Sequence, residues 1–240
     1  MQLPDTPRSF PPSTDGISLR PGTECVMIDS NDQYNASSTP IYQSATFKQS
    51  SVTSPGEYDY SRSGNPTRSS IEKHLGRLLH ANTTLVVNSG MTALDIITRI
   101  VKHGQEIVAG LDIYGGTNRL LNYLSVQNSI TVHHVDTTNL DELRAHLNGN
   151  TRLILLETPT NPLLQVCNIP AIAQMAHAFP SALVVVDNTM MSPYLQLPLE
   201  MGADIVYHSG TKYLSGHHDL MAGVVGCKDE SIGRVSICVT

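Results

Sequence analysis

The chain has 240 residues, 40% of them hydrophobic and 15% charged, with a formal net charge of −6 at pH 7. That is enough for one large core and short for two full domains; the acidic balance gives no reason to expect nucleic acid or an anionic membrane as partner, and apolar runs of a few residues span no bilayer. The four cysteines lack CxxC spacing, so neither a metal site nor a disulfide framework is expected, and reduced thiols in a cytoplasmic protein are.

Residues 1–21 are rich in Pro, Ser and Thr, with no apolar stretch of a secretory signal; Asp5 and Asp15 argue against a basic transit peptide. They are expected to be disordered. Little periodicity follows as far as residue 65, although Tyr34, Tyr58 and Tyr60 recur there among Gly, Pro and Ser. An irregular stretch of that length is usually functional or docks on a partner. Asn65 followed by Pro66 reads as a cap with proline at the first helical position, and Ile71, Leu75, Leu78 and Leu79 then recur at helical spacing. Apolar runs at 85–87, 107–109, 131–135, 153–156, 183–186 and 205–207 read as strands, and 91–102, 118–124, 140–147 and 169–178 as helices. Such alternation predicts an α/β fold with a mostly parallel sheet between helices, whose ligands bind at the carboxyl ends of the strands.

The strand ends carry the candidate chemistry. The first runs into Ser89, Gly90 and Met91 at a helix start, where free amides can seat a phosphate; an ordinary cap at Asn88 or Ser89 is the competing reading. The second reaches Tyr114 before two glycines, which leave a ring face open for stacking on a flat ligand or a hydroxyl for proton transfer; a plain turn fits as well. The fourth ends in Glu157 and a rigid loop carrying Asn161, an amide suited to a phenolate oxygen; Glu157 also reads as a satisfied structural carboxylate. The fifth ends in Asp187, a carboxylate costly to desolvate unless paired, for which a protonated pyridine nitrogen is a fitting partner. After the sixth comes Lys212, flanked by Ser209, Gly210 and Thr211: an amine able to condense with an aldehyde beside hydroxyls able to hold a phosphate. These ends together suit one ligand, pyridoxal phosphate, with Lys212 forming the Schiff base.

In order, YDYSRSGNPTR at 58–68, SGM at 89–91, YGG at 114–116, ETPTNP at 157–162, DNT at 187–189 and SGTK at 209–212 resemble the Cys/Met-metabolism branch of the fold type I pyridoxal phosphate enzymes. That branch holds the cystathionine β-lyases, γ-lyases and γ-synthases. Within it, DNTMMSP at 187–193 and GHHDLMAG at 216–223 look most like fungal and plant β-lyases. The resemblance implies that Lys212 carries the cofactor and moves protons, with Tyr114 as its catalytic neighbour stacked on the ring. It implies that Asp187 holds the ring nitrogen and Asn161 the phenolic oxygen, while Gly90, Met91, Ser209 and Thr211 hold the phosphate. Tyr60 and Arg62 would reach into a neighbouring subunit and clamp its phosphate, so a homo-oligomer, typically a tetramer of paired dimers, is implied. The implied reaction is the α,β-elimination of cystathionine, a small sulfur amino acid, to homocysteine, pyruvate and ammonia in transsulfuration and methionine biosynthesis.

The domains expected are an N-terminal arm over 1–65, a pyridoxal phosphate-binding large domain over 66–233 and a tail over 234–240, where the resemblance fades and the sequence fits no helix that the family places there. Family chains continue into a small C-terminal domain with an arginine for the substrate carboxylate, so the sequence is expected to be C-terminally truncated. A fragment without activity that binds the cofactor or partner subunits is the second reading.

Overall fold

The computed structural model describes residues 19–28, 33, 34 and 36–237. The disorder expected over 1–21 falls mainly on residues outside that set, as do residues 238–240 of the expected tail. The chain forms two compact units, Met1–Leu78 and Leu79–Thr240.

The first unit is organised by polar bonds more than by regular structure. Its helices are α1 (Pro21–Glu24) and α2 (Pro66–Leu79). Asn65 caps α2 as expected, accepting from the Thr67 amide at 2.9 Å, while its own amide group donates to the Tyr42 carbonyl at 3.0 Å. The two helices meet through Arg77, whose guanidinium lies 3.2 Å from the buried Glu24 carboxylate. Residues 45–61 fold back on themselves about an antiparallel bridge between Thr46 and Tyr60. Flanking bonds run from the Phe47 amide to the Asp59 carbonyl and from the Ser61 amide to the Ala45 carbonyl, both at 2.8 Å.

The second unit is a sheet of seven strands: β1 (Thr83–Val87), β2 (Glu106–Gly110), β3 (Thr131–Val135), β4 (Thr151–Glu157), β5 (Leu183–Asp187), β6 (Ile205–Ser209) and β7 (Gly223–Cys227). Their order is β1-β7-β6-β5-β4-β2-β3. From β3 to β6 neighbours are parallel; β7 is antiparallel to both β6 and β1. The α/β reading holds, and six of these strands sit where the apolar runs placed them. The seventh was not foreseen. Two glycines in five residues make a weak strand signal, yet Gly223 is required there: a Cβ at that position would lie 2.0 Å from the Ser89 carbonyl oxygen.

The connecting helices are α3 (Gly90–Thr98), α4 (Gly115–Asn128), α5 (Leu140–Ala145), α6 (Ile169–Ala176) and α7 (Ser192–Leu195). Leu94 and Ile97 of α3 and Leu121 of α4 pack with Ile107, Leu155, Val185 and Tyr207 from one sheet face. The alternate residues Val184 and Val186 point the other way and are fully buried, with α6 packed on β5. Three successive buried valines are what a strand covered on both sides demands. The last helix, α8 (Glu230–Ile237), carries helical structure past Gly233 into the expected tail. Asp229 accepts from the Ser231 amide at 2.6 Å and Glu230 lies in the first turn, so the start is capped and matched to the helix dipole.

Candidate active site

The five expected strand ends converge. Gly90, Met91, Tyr114, Asn161, Asp187, Ser209, Thr211 and Lys212 all line one cleft of about 1010 Å³ at the carboxyl edge of the parallel strands. Every residue lining it comes from the second unit. Tyr60 and Arg62 belong to the first; both are exposed there, the guanidinium carbon 5.1 Å from the Tyr60 ring centre.

At one end of the cleft α3 begins. Ser89 caps it, accepting from the Thr92 amide at 3.1 Å, so the Gly90 and Met91 amides, which no intrahelical carbonyl can satisfy, face outward. A Cβ on Gly90 would lie 3.0 Å from Ser209 Cβ. The close approach brings the helix start against the end of β6, and the Ser209 hydroxyl makes no protein hydrogen bond among the described residues. Amides and a free hydroxyl there suit a phosphate. Thr211 is less free. Its hydroxyl accepts from the Ala222 amide at 3.1 Å and donates to the Ala222 carbonyl at 3.4 Å.

At the other end sit the acids. Glu157 and Asp187 are paired in register across β4 and β5, and Asp187 is paired with Tyr207 across β5 and β6. Asp187 accepts from the Thr189 amide at 2.9 Å and the Thr189 hydroxyl at 2.5 Å. Burial raises the Asp187 carboxyl above its usual range, against the pull of those bonds. Burial likewise raises Tyr207, helped by the charges of Asp187 and Glu157. No cation pairs with Asp187 among the described residues. A half-buried carboxylate that accepts two bonds from Thr189 and lacks a counter-charge suits a protonated ring nitrogen.

Glu157 is buried too, and burial, with the charges of Asp187 and Asp112, pushes its carboxyl up to about 7. Its oxygens accept from the Tyr114 and Asn161 amides, each at 2.8 Å. The side chains of Tyr114 and Asn161 remain exposed. Lys212 is exposed in the cleft with no ion pair or side-chain hydrogen bond among the described residues. An uncommitted amine, an unpaired acid and a phosphate seat on one cleft are the donor set that pyridoxal phosphate needs. No cluster able to hold a metal occurs among the described residues.

Sequence reasoning left out Thr189, which bonds Asp187, and Tyr207 and Thr117, which line the same cleft. A threonine two residues after Asp187 is a turn signal that points back to that carboxylate. Tyr207 carried none, because a tyrosine closing an apolar strand reads as core.

A family model described as Cys/Met metabolism PLP-dependent enzyme matches residues 22–238, extending beyond Gly233. The chain is 56% identical over 232 residues to a Neurospora crassa protein named cystathionine beta-lyase, covering 96% of this chain and 50% of that protein. It is 50% identical over 214 residues to a Schizosaccharomyces pombe protein of the same name, covering 88% and 55%. Among solved structures, a cystathionine gamma-lyase from Lactobacillus plantarum complexed with L-serine superposes with a TM-score of 0.87 at 38% identity, covering 92% of this chain and 59% of that one. The chain spans about half the length of the curated relatives it matches.

Proposed function

This chain belongs to the Cys/Met metabolism PLP-dependent enzyme family, and from that premise we propose that it binds pyridoxal 5'-phosphate and serves the cleavage of a carbon–sulfur bond. The reaction that fits best takes L-cystathionine and water to L-homocysteine, pyruvate and ammonia, in transsulfuration toward methionine. The observation that carries this reading is the uncommitted Lys212 amine on one cleft with Asp187, Asn161, Tyr114 and the start of α3. The two fungal relatives named cystathionine beta-lyase support the choice of substrate.

When bound, pyridoxal phosphate supplies an aldehyde for an amine and a ring that takes up carbanion electrons. The chain's own residues do the rest. Gly90, Met91 and Ser209 would bind the phosphate, with Thr211 bordering it. Asp187 would hold the ring nitrogen, Tyr114 would cover the ring face, and Asn161 would meet the phenolic oxygen. Lys212 Nζ, the uncommitted amine on the cleft, would take the proton from the substrate Cα. The Cβ–S bond breaks with its electron pair leaving on sulfur, which takes up a proton to give homocysteine. Water then releases the three-carbon remainder as pyruvate and ammonia. Tyr60 and Arg62 serve a neighbouring copy of the chain, whose phosphate the Arg62 fork suits. A cytoplasmic location completes this reading; no described helix is long and apolar enough to cross a membrane.

γ-Elimination is the second reading, supported by the cystathionine gamma-lyase among the solved structures. The first test is the visible absorption of the purified chain with pyridoxal phosphate beside Lys212→Ala. A band in the parent that the variant lacks is expected, and no band in either overturns the reading. Products from cystathionine then separate the two eliminations: pyruvate with homocysteine for β, 2-oxobutyrate with cysteine for γ.

A further inference from the structure

The cleft has one wall built from two separate loops, the one after β2 that carries Tyr114 and the one after β4 that carries Asn161. Glu157, at the end of β4, is the residue common to both. Its Oε2 accepts from the Tyr114 amide and its Oε1 from the Asn161 amide, each at 2.8 Å, and only 7% of the residue is exposed. Both bonds go to backbone. The Tyr114 ring and the Asn161 carboxamide therefore stay free, as their exposure requires.

We propose that Glu157 is a positioning residue, whose two oxygens tie the Tyr114 loop to the Asn161 loop and so set the spacing between the residues that cover the cofactor ring and meet its phenolic oxygen. The inference rests on the cofactor reading above. A glutamate is costly at this place. It is buried, and it lies in register beside Asp187, a second acid that no cation offsets among the described residues. Two charge-assisted amide bonds offset that cost, and no neutral side chain offers two acceptors aimed at two amides. Glutamine turns an N–H₂ group toward one of them.

A second acid crosses in the opposite sense. Asp112, in the Tyr114 loop, accepts from the Thr160 hydroxyl and from the Leu163 amide at 3.2 Å, both in the Asn161 loop. The loops are thus clasped from both sides. Asp112 holds the outer portion of the wall, and Glu157 the portion nearest Asp187. With Asp112 in place, loss of the Glu157 tie is a local change that leaves the strands intact.

The test is Glu157→Gln, read by amide hydrogen exchange and by the visible circular dichroism and affinity of added pyridoxal phosphate. Read at a pH above about 7, where the Glu157 carboxyl is ionised, exchange at Tyr114 or Asn161 is expected to rise at least about tenfold, because a bond to a charged acceptor is lost. The Leu155 and Val185 amides, in the β4 and β5 ladder, are expected to keep their rates. Cofactor affinity is expected to fall by a similar factor, with an altered dichroism signal. Unchanged exchange at both loop amides overturns the tie. Faster exchange with unchanged affinity and dichroism overturns the positioning role, and protection lost throughout β4 and β5 means Glu157 serves folding alone. Should Glu157→Gln not fold, Glu157→Asp replaces it: the shorter acid keeps the charge but reaches one amide at most, and parental exchange at both amides overturns the tie. If the parent itself binds no cofactor, the cofactor reading has failed, and the exchange rates alone decide the tie.

Discussion

Glu157 and His208 are buried titratable residues whose effects on stability run in opposite directions with pH. Burial pushes Glu157 from 4.5 up to about 7, so the folded chain binds its proton more tightly than the unfolded chain. Its contribution to stability is full below about 4.5 and is lost as the pH rises through about 7. His208, on β6 beside Tyr207, is 1% exposed and its Nε2 has no partner among the described residues. Burial pushes it from 6.5 down to about 3, so its contribution is full above 6.5 and is lost as the pH falls through about 3. Urea unfolding across that range is expected to find the acid-side loss of stability smaller in His208→Leu than in the parent. Glu157→Gln is expected to remove the decline on the other side, between about 4.5 and about 7. Equal pH profiles for parent and variants would mean that neither group is buried in its described state. At this scale the sequence announced which acids end the strands. It did not announce that Glu157 and Asp187 are cross-strand neighbours, because pairing register depends on the whole sheet.

Strands and helices differed in how plainly they could be read. Val184, Val185 and Val186 are fully buried, and a run of β-branched residues has few other uses, so β5 was legible. The helix α4, expected over 118–124, runs Gly115–Asn128; its two leading glycines look like a loop when propensity alone is considered. The strand β7 was invisible for a related reason. Gly-Val-Val-Gly-Cys is a poor strand by composition, and its glycines are there because other backbone comes close, a fact that exists only in the folded chain. Gly223→Ala measures that contact. The added carbon would press on the Ser89 carbonyl oxygen, so β7 and the turn that opens α3 must separate. Overpacking of this kind costs about 1–3 kcal/mol, and a lower urea midpoint together with weaker pyridoxal phosphate binding is expected. A lower midpoint with unaltered binding would mean that the Ser89 turn moves without disturbing the phosphate seat.

At the scale of the whole molecule, the candidate residues divide between two units. Lys212 and its neighbours lie in the second, Tyr60 and Arg62 in the first. The arm lacks periodicity, and an irregular stretch of its length is usually functional or docks on a partner. Its order comes from individual bonds, such as those from Arg68 to the Ser61 and Arg62 carbonyls at 3.0 and 3.1 Å, which no periodicity encodes. Those bonds leave the Arg62 guanidinium exposed beside the Tyr60 ring, a presentation suited to a phosphate carried by another copy of the chain. If sites are shared in this way, two defective chains can repair one another. Arg62→Ala supplies an intact Lys212, and Lys212→Ala supplies an intact Arg62. Unfolded together and refolded at equal concentrations, the two variants would form mixed dimers for about half of the population, each with one whole site out of two, so about a quarter of the parental high-affinity pyridoxal phosphate sites is expected. Arg62→Ala refolded alone is expected to bind the cofactor at least about tenfold more weakly, since it loses a bidentate charged contact. Failure of the mixture to exceed the sum of the separate variants would assign Arg62 to its own chain's site or to none. Recovery that appears only when the two are refolded together, and grows with protein concentration, would assign it to the neighbour's.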